Sequence, residues 1–303
     1  MNFISTAKLN EALRDPERMI AEAEAEYKAK VFAIAEKIEK NSDEKPIVLL
    51  SGPSGSGKTT TAKIIESYLD ASGHETHTIS LDDYFYRRAD GFLPRDEEGN
   101  VDNESPLHKD VELLHRHMEE LAACIPVEIP SFDFENQRRT EKTTYLARKP
   151  GEIVIFEGIH ALNPYVSGDR GKATGIYVSV RTRVTHGEDV LHPSKIRLMR
   201  RLLRDKRHRG QSYTGTIERL SGVARGEKLF IEPYKNSADF QIDSFCPYEL
   251  AVYRDLLLPG LLGLDEEFLE EKRVSDVIEF LAAFTPVSKR LVPENALIRE
   301  FLF

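Results

Sequence analysis

A segment rich in glycine and hydroxyl residues, LLSGPSGSGKTTTAKII, lies between an apolar run and a helical pattern near residue 50. Gly52, Gly57, Lys58 and Thr59 satisfy the pattern G-x-x-x-x-G-K-[ST]. Glycines allow successive backbone N–H groups to point at one anion, and the helix that follows adds its positive end. The lysine supplies a mobile charge for the outer phosphates, and the threonine hydroxyl suits Mg²⁺. The segment therefore predicts a site for ATP and Mg²⁺ formed by Gly52, Ser54, Gly55, Ser56, Gly57, Lys58, Thr59 and Thr60.

A flexible glycine turn without a ligand is the alternative interpretation of this segment. Its position directly after a predicted strand and directly before a predicted helix favours the phosphate site. A dinucleotide-binding loop is excluded because the glycines at 52, 55 and 57 do not fit G-x-G-x-x-G.

Carboxylates follow two of the apolar runs that are typical of buried strands. Asp82 and Asp83 come directly after TISL, and Glu157 ends EIVIFE. Ligands of a parallel α/β sheet bind at the carboxyl ends of its strands, so at least one of these aspartates is expected to face the phosphate site. Such a carboxylate can accept a hydroxyl proton and help to hold Mg²⁺, and Glu157 can hold the metal opposite Thr59. The alternatives are an Asp pair that caps a turn or helix and a Glu157 that belongs to a strand-end turn.

A helical pattern near residue 200, SKIRLMRRLLRDKRHRG, carries arginine on one side and apolar residues on the other. A rotation of about 100° per residue places a group of arginines within an arc of about 120°, namely Arg197, Arg200, Arg201, Arg204 and Arg207. The arc contains neither lysine nor glutamate, so its self-repulsion is unfavourable unless an anion faces it. The pattern predicts a lid helix over about 194–210 that neutralises charge developing during group transfer. A solvated amphipathic helix is the alternative.

Short apolar or β-branched runs alternate with helical patterns through the middle of the chain. PIVLLS, HETHTISL, EIVIFEG and GIYVSV indicate strands, whereas DVELLHRHMEELAA indicates a helix. This alternation predicts a mostly parallel sheet with right-handed crossovers, which is an α/β layered domain. The polar stretch RTRVTHGEDVLHPS is expected to be a surface loop.

The sequence predicts three parts along the chain. Residues 1–43 are expected to form an N-terminal helical appendage, because apolar positions recur at helical spacing up to the breaker cluster NSDEKP. Residues 44–245 are expected to form the core with the phosphate loop and the lid helix. Helical patterns in PYELAVYRDLLLPGLL and SDVIEFLAAFTPV predict a C-terminal helical extension over residues 246–303, packed on the core.

The composition of the 303 residues limits the class of protein. A net charge of −9 argues against a general nucleic-acid binder and against a polybasic membrane anchor. The two cysteines, Cys124 and Cys246, lack a metal-ligand spacing and are expected to be free thiols. No run reaches the roughly 18 apolar residues of a membrane span, and the first residues lack a signal-peptide core. We therefore expect a cytoplasmic protein whose partner is a small molecule rather than nucleic acid or a membrane.

These motifs together resemble the uridine kinase and phosphoribulokinase family of P-loop kinases, and the uridine kinase branch fits better. The resemblance covers residues 46 to about 245. It is carried by the phosphate loop and by SLDDYF, NVD, PSFDFENQRR, EGIHALNP and RRLLRDKRHRG. It implies a P-loop NTPase fold with three α/β/α layers, and transfer of phosphoryl from ATP to a hydroxyl, by analogy the 5′-hydroxyl of a nucleoside. Homologous enzymes also suggest a homo-oligomer.

Site residues follow from the resemblance by position. Asp82 becomes the general base and a metal ligand, with Thr59 and Glu157 as the other Mg²⁺ neighbours. Lys58, Arg201 and Arg204 become catalytic cations, and Arg209 an ATP-binding lid residue. The residues placed around the acceptor are Asp83, Tyr84, Asp102, Phe132, Gln137 and Arg139.

The sequence departs from the uridine kinase pattern around the acceptor. Phe132 and Gln137 stand where uridine kinases usually carry a tyrosine and a histidine. A phenyl ring can stack but offers no hydroxyl, and an amide reads a base edge differently from an imidazole. Other small alcohols, a sugar phosphate or a vitamin precursor therefore stay open as acceptors. A non-catalytic ATP-binding regulatory protein is the alternative outside enzymes.

Overall fold

The structure is a computed structural model that describes residues 2–86, 93–134 and 136–302. The described strands are β1 Phe3–Ser5, β2 Ile47–Ser51, β3 Thr76–Ser80, β4 Val127–Ile129, β5 Phe132–Asp133, β6 Arg138–Arg139, β7 Thr144–Leu146, β8 Ile153–Glu157, β9 Ala173–Ser179, β10 Arg183–His186, β11 Asp189–Leu191 and β12 Phe240–Asp243. The described α-helices are α1 Thr6–Ala12, α2 Pro16–Lys40, α3 Lys58–Ala71, α4 Val111–Ala122, α5 Pro164–Ser167, α6 Pro193–His208, α7 Tyr213–Glu218, α8 Leu220–Phe230, α9 Glu249–Leu261, α10 Glu266–Glu271, α11 Ser275–Ala282 and α12 Arg299–Leu302.

A five-stranded sheet with all neighbours parallel forms the centre of the molecule, in the order β12-β9-β2-β8-β3. Alternate residues of β2 enter different cores, because side chains of a strand point to opposite faces. Val48 and Leu50 belong to one hydrophobic cluster, whereas Ile47 and Leu49 belong to the other. Apolar packing on both faces is typical of parallel sheets covered by helices. The predicted α/β/α layering is confirmed.

The N-terminal helical pattern forms two helices that pack on the sheet domain. A break after Ala12 is followed by Asp15, whose side chain accepts from the backbone of α2, and by a proline at the first position of that helix. Helix α2 lies against α3, and the hydroxyls of Tyr27 and Thr61 are 2.7 Å apart between them. The buried side chains of α2 belong to the hydrophobic cluster that also contains Val48 and Leu50 of β2.

The stretch predicted to be a surface loop, residues 181–194, contains a β-hairpin, so that prediction is wrong. Strands β10 and β11 pair antiparallel, and β1 adds to β10 in parallel. The Thr6 hydroxyl lies 2.8 Å from Nδ1 of His186, which fastens the two segments together. The stretch forms strands because a partner from the N-terminus satisfies its backbone, and local polarity gives no sign of that partner.

The C-terminal patterns form helices where they were expected, as α9 and α11. The last described helix, α12, packs against α6. Within the described part of the chain, no helix combines the length and the apolar character that crossing a bilayer requires.

Candidate active site

The predicted phosphate loop joins β2 to α3, with Lys58 as the first helical residue. Gly52 has φ +155°, and a Cβ placed on it would lie 2.0 Å from the carbonyl oxygen of Val178. Only glycine fits that close approach to β9. Gly57 caps α3 with φ +87° and contributes no side chain to the capping. The loop therefore presents main-chain N–H groups at a helix N-terminus, which is the arrangement that binds phosphate.

Lys58, Thr59 and Glu157 converge beside this loop. The Thr59 hydroxyl lies 3.5 Å from one oxygen of the Glu157 carboxylate, and Nζ of Lys58 lies 3.8 Å from the other. Burial raises the pKa of Glu157, the charge of Lys58 lowers it, and nearby acids raise it again, so that it ends above its usual range. A mostly buried carboxylate beside a hydroxyl is a pair of oxygen donors that fits Mg²⁺.

Asp82 lies next to this cluster because β3 and β8 are neighbours in the sheet. Ser80 pairs with Glu157 in the strand register, and Asp82 follows in a short 3₁₀ turn over Leu81–Tyr84. The Ser80 hydroxyl accepts from the backbone N–H of Asp82 at 3.2 Å and fixes the start of the turn. The sheet thus brings together the two acids that the sequence placed after separate strands.

Sequence reasoning missed Lys109, a lysine with 1% of its side chain exposed. Its Nζ donates to Oδ1 of Asp82 at 2.8 Å and to the carbonyl of Leu81 at 3.1 Å, and it lies 3.8 Å from the ring centre of Phe85. Burial raises the pKa of Asp82, but the charges of Lys109 and Lys58 lower it overall. Asp82 is therefore held as a carboxylate. The polar context of Lys109 in the sequence gives no local signal of this burial.

Some arginines of α6 pair with acidic residues from other helices. The expectation that only a bound anion balances the charge of this arginine arc is therefore wrong. Arg197 binds both carboxylate oxygens of Glu227, at 2.5 and 2.7 Å, and donates to the carbonyl of Ser54. Arg200 is fully buried against Glu249 and donates to the carbonyl of Gly55 at 3.1 Å. Arg197 and Arg200 therefore hold the phosphate loop through two of its main-chain carbonyl groups. Their acids come from α8 and α9, which lie far along the chain.

Two of the arginines predicted to act on phosphate, Arg201 and Arg204, also lie against the loop. Arg201 is 6% exposed and belongs to none of the ion pairs that the described residues form. Its Cγ would be 3.4 Å from a Cβ on Gly55. Arg204 reaches the Ser54 hydroxyl at 3.5 Å and pairs with Asp205. Arg209, which is more exposed, lies 3.5 Å from the same carboxylate.

Three phenyl rings form a cluster beside Asp82 and Asp83. The ring centres of Phe132 and Phe134 are 5.1 Å apart, and that of Phe85 is 5.4 Å from Phe132. Asp83 accepts from the backbone N–H of Phe132 at 3.4 Å. Phe132 is 9% exposed, which corrects its predicted role as an open contact for the acceptor, whereas the ring of Phe134 is half-exposed and offers an apolar surface.

Other residues predicted to contact the acceptor have partners within the protein. Tyr84 requires correction, because its side chain is fully buried and its hydroxyl lies 3.0 Å from Nδ1 of His117. The side chain of Gln137 donates to the carbonyl of Phe134 at 2.6 Å. Arg139 donates to Asp110 at 3.0 Å and to the carbonyl of Tyr84.

Asp102 adjoins a cavity of about 700 Å³. The carboxylate is 6% exposed and forms an ion pair with Arg225, whose Nη2 lies 2.6 Å from Oδ2 of Asp102. Tyr165 and Phe230 are among the other side chains that line the cavity. Sequence reasoning did not single out Arg225, which lies on α8, more than 100 positions from Asp102.

Comparison with known proteins agrees with this geometry. The profile of the "Phosphoribulokinase / Uridine kinase family" matches residues 47–250. A uridine kinase of Staphylococcus carnosus is 33% identical over 197 residues, which is 65% of this chain and 86% of that protein. A uridine kinase of Bacillus licheniformis is 31% identical over 201 residues, 66% of this chain and 86% of the relative.

The fold also matches solved structures. A structure from Silicibacter sp. TM1040, assigned to a fructose transport system kinase, has a TM-score of 0.53 at 20% identity. The match covers 70% of this chain and 98% of that one. This likeness shows the shared fold, and the sequence matches show the family. The chain belongs to the phosphoribulokinase / uridine kinase family.

Proposed function

We propose that the protein is an ATP-dependent kinase that transfers the γ-phosphoryl group to a hydroxyl of a small, nucleoside-like acceptor. The observation that carries this proposal is the placement of Asp82 beside the Lys58 and Glu157 cluster at the mouth of the phosphate loop. A phosphate-gripping loop alone fits many activities. A carboxylate held next to it and ionised is what phosphoryl transfer to a hydroxyl requires.

Lys109 is the positioning residue for Asp82 in this proposal. Its ammonium donates a hydrogen bond to Oδ1 of the carboxylate, and Oδ2 makes no hydrogen bond with any described residue. The side chain of Asp82 is 46% exposed, so Oδ2 can accept the proton of an acceptor hydroxyl. Because one oxygen is already occupied by a cation, we assign Asp82 to the base and not to the metal.

Thr59 and Glu157 would hold Mg²⁺ in this proposal, and the bound ion would neutralise charge on the phosphates. Lys58 would contact the outer phosphates, and Arg201 and Arg204 would face them from α6. Arg209 directly follows the last residue of that helix and would contact the bound nucleotide from the solvent side. The oxygen donors and the buried site support this assignment.

The phenyl cluster supports a planar acceptor, since an aromatic ring or base can stack on the exposed ring of Phe134, which packs against the buried ring of Phe132. Asp83 and Asp102 would bind hydroxyl groups of the acceptor. A second candidate keeps the chemistry and changes the acceptor to a sugar, a sugar phosphate or another small alcohol. It is favoured by Gln137 and Arg139, which are engaged with the protein and not presented to a base.

The experiment is an assay of the purified chain with ATP, Mg²⁺ and a panel of nucleosides, sugars and sugar phosphates, with product detection. Phosphorylated acceptor is expected from at least one class. Asp82→Asn should lower kcat by about 10²- to 10⁴-fold while ATP binding is retained, because only the general base is removed.

Asp70→Asn is the matched control, since Asp70 is an exposed carboxylate near the C-terminal end of α3, whereas the phosphate loop precedes its N-terminal end. Unchanged transfer by Asp82→Asn would remove Asp82 from the role. ATP turnover that never depends on an added acceptor would support the regulatory alternative and contradict the kinase.

A further inference from the structure

The C-terminal segment, residues 296–302, packs directly on the phosphate loop. Leu297 is 2% exposed, and its Cδ1 lies 2.6 Å from the position that a Cβ on Gly57 would take. Phe301 and Leu302 are also buried. The segment therefore forms one wall of the loop, although it comes from the opposite end of the chain.

Glu300 of this segment supplies a negative charge to the first turn of α3. The Thr60 N–H donates to Oε2 of Glu300 at 3.1 Å, and the Thr60 hydroxyl donates to the same oxygen at 2.6 Å. The first turn of α3 has no acidic residue of its own, and Gly57 has no side chain to cap it. An anion is stabilised at a helix N-terminus, which explains why the carboxylate lies there.

The same groups of Thr60 belong to the predicted set that binds ATP. Main-chain N–H groups at the start of this helix are the donors that cradle nucleotide phosphates in such loops. One N–H cannot donate well to a carboxylate and to a phosphate at once, and two anions at this distance repel each other. Glu300 and a phosphate group therefore exclude each other at Thr60.

We propose that Glu300 is an intramolecular competitor of the nucleotide, and that its carboxylate must leave Thr60 before ATP is fully bound. The backbone of the segment stays anchored, because Arg207 donates to the carbonyl of Leu302 and the Arg200 guanidinium lies 5.4 Å from the ring of Phe301. Rotation of the Glu300 side chain would release the N–H of Thr60 while the backbone stays in place. The inference rests on the proposed function only in taking this loop as the ATP site.

The test is the affinity of the full chain for ATP, measured by calorimetry without acceptor, in wild type and in Glu300→Gln. The substitution keeps the size of the side chain and removes its charge. The Kd for ATP is expected to fall about tenfold, since a hydrogen bond to a charged group no longer opposes phosphate binding. Inorganic pyrophosphate should show the same gain, because the competition is at the phosphate and not at the base.

Glu294→Gln is the matched control, an exposed glutamate shortly before the C-terminal segment, and its Kd should equal that of wild type. Glu300→Asp keeps the charge on a shorter side chain and should fall between the wild type and Glu300→Gln. Unfolding temperatures of all variants show whether a change in affinity comes from lost structure.

A purely structural capping role predicts a lower unfolding temperature for Glu300→Gln with an unchanged Kd, and that result would overturn the proposal. Weaker ATP binding by Glu300→Gln would overturn it too, because Glu300 would then assist the nucleotide. Tighter ATP binding without phosphorylation of any acceptor would leave the competition intact and contradict only the kinase activity.

Discussion

The two sides of the cleft are built in different ways. The nucleotide side, residues 52–60, consists of consecutive residues that act mainly through their main chain, and α6 supports it from outside. The side on which we propose the acceptor is assembled from separate segments, with Asp102 held by Arg225 and the N–H of Phe132 held by Asp83. Consecutive residues supply the donors of the first side, whereas residues far apart in the chain supply the polar groups of the second.

This difference indicates where specificity can change without loss of the fold. A substitution in the loop alters the backbone that every phosphate ligand needs. A substitution on the acceptor side alters one pairing and leaves the loop intact. Variants of the two sides should therefore separate ATP binding from acceptor binding.

The largest effect is expected from Gly52→Ala. The added Cβ would lie 2.0 Å from the carbonyl oxygen of Val178, so either the loop or β9 must move. We expect the affinity for ATP to fall by about 100-fold, measured by calorimetry.

Gly222→Ala is the control for that substitution, because no atom lies within 4 Å of its added Cβ on α8. It should leave ATP affinity unchanged. Wild-type affinity for ATP in Gly52→Ala would show that the loop tolerates another conformation. ATP binding would then not depend on this backbone conformation, contrary to the comparison above.

An intermediate effect is expected from Arg225→Met. The Asp102 carboxylate, 6% exposed, would lose the cation that it faces. We expect KM for the acceptor to rise about tenfold, because a buried charge left without its partner moves or is protonated. KM for ATP should not change, and steady-state kinetics with each substrate varied separates the two.

Arg18→Met removes an exposed ion pair with Glu22 on α2 and should alter neither constant. Should Arg225→Met raise KM for ATP as much as KM for the acceptor, the two sides are coupled and the distinction between them fails.

The smallest effect is expected from Phe134→Ala. The ring is 53% exposed, so its removal should change the free energy of unfolding by less than about 0.5 kcal/mol. A planar acceptor would lose one stacking partner, and kcat/KM for it should fall roughly three- to tenfold.

Tyr145→Ala, on an exposed strand position of the small β4-β7 sheet, serves as the control. Equal kcat/KM in Phe134→Ala and wild type would argue against a planar acceptor and in favour of the sugar or alcohol candidate.

Features that depend on consecutive residues could be predicted from the sequence. The loop, the strands around it and the helix at residues 193–208 all follow from local spacing and were found where predicted. The positions of Asp82 and Glu157 at strand ends were also predictable, because parallel strands bring their carboxyl ends to one edge.

The sequence by itself determined the fold class and the phosphate loop, since both arise from hydrophobic periodicity and from backbone conformations that glycine permits. Only the tertiary structure decided which polar and charged groups face one another. Lys109 meets Asp82, Glu249 meets Arg200 and Glu300 meets Thr60 across separations of 27, 49 and 240 positions. Such contacts form when distant elements pack together, and burial then makes them strong, so no local pattern carries them.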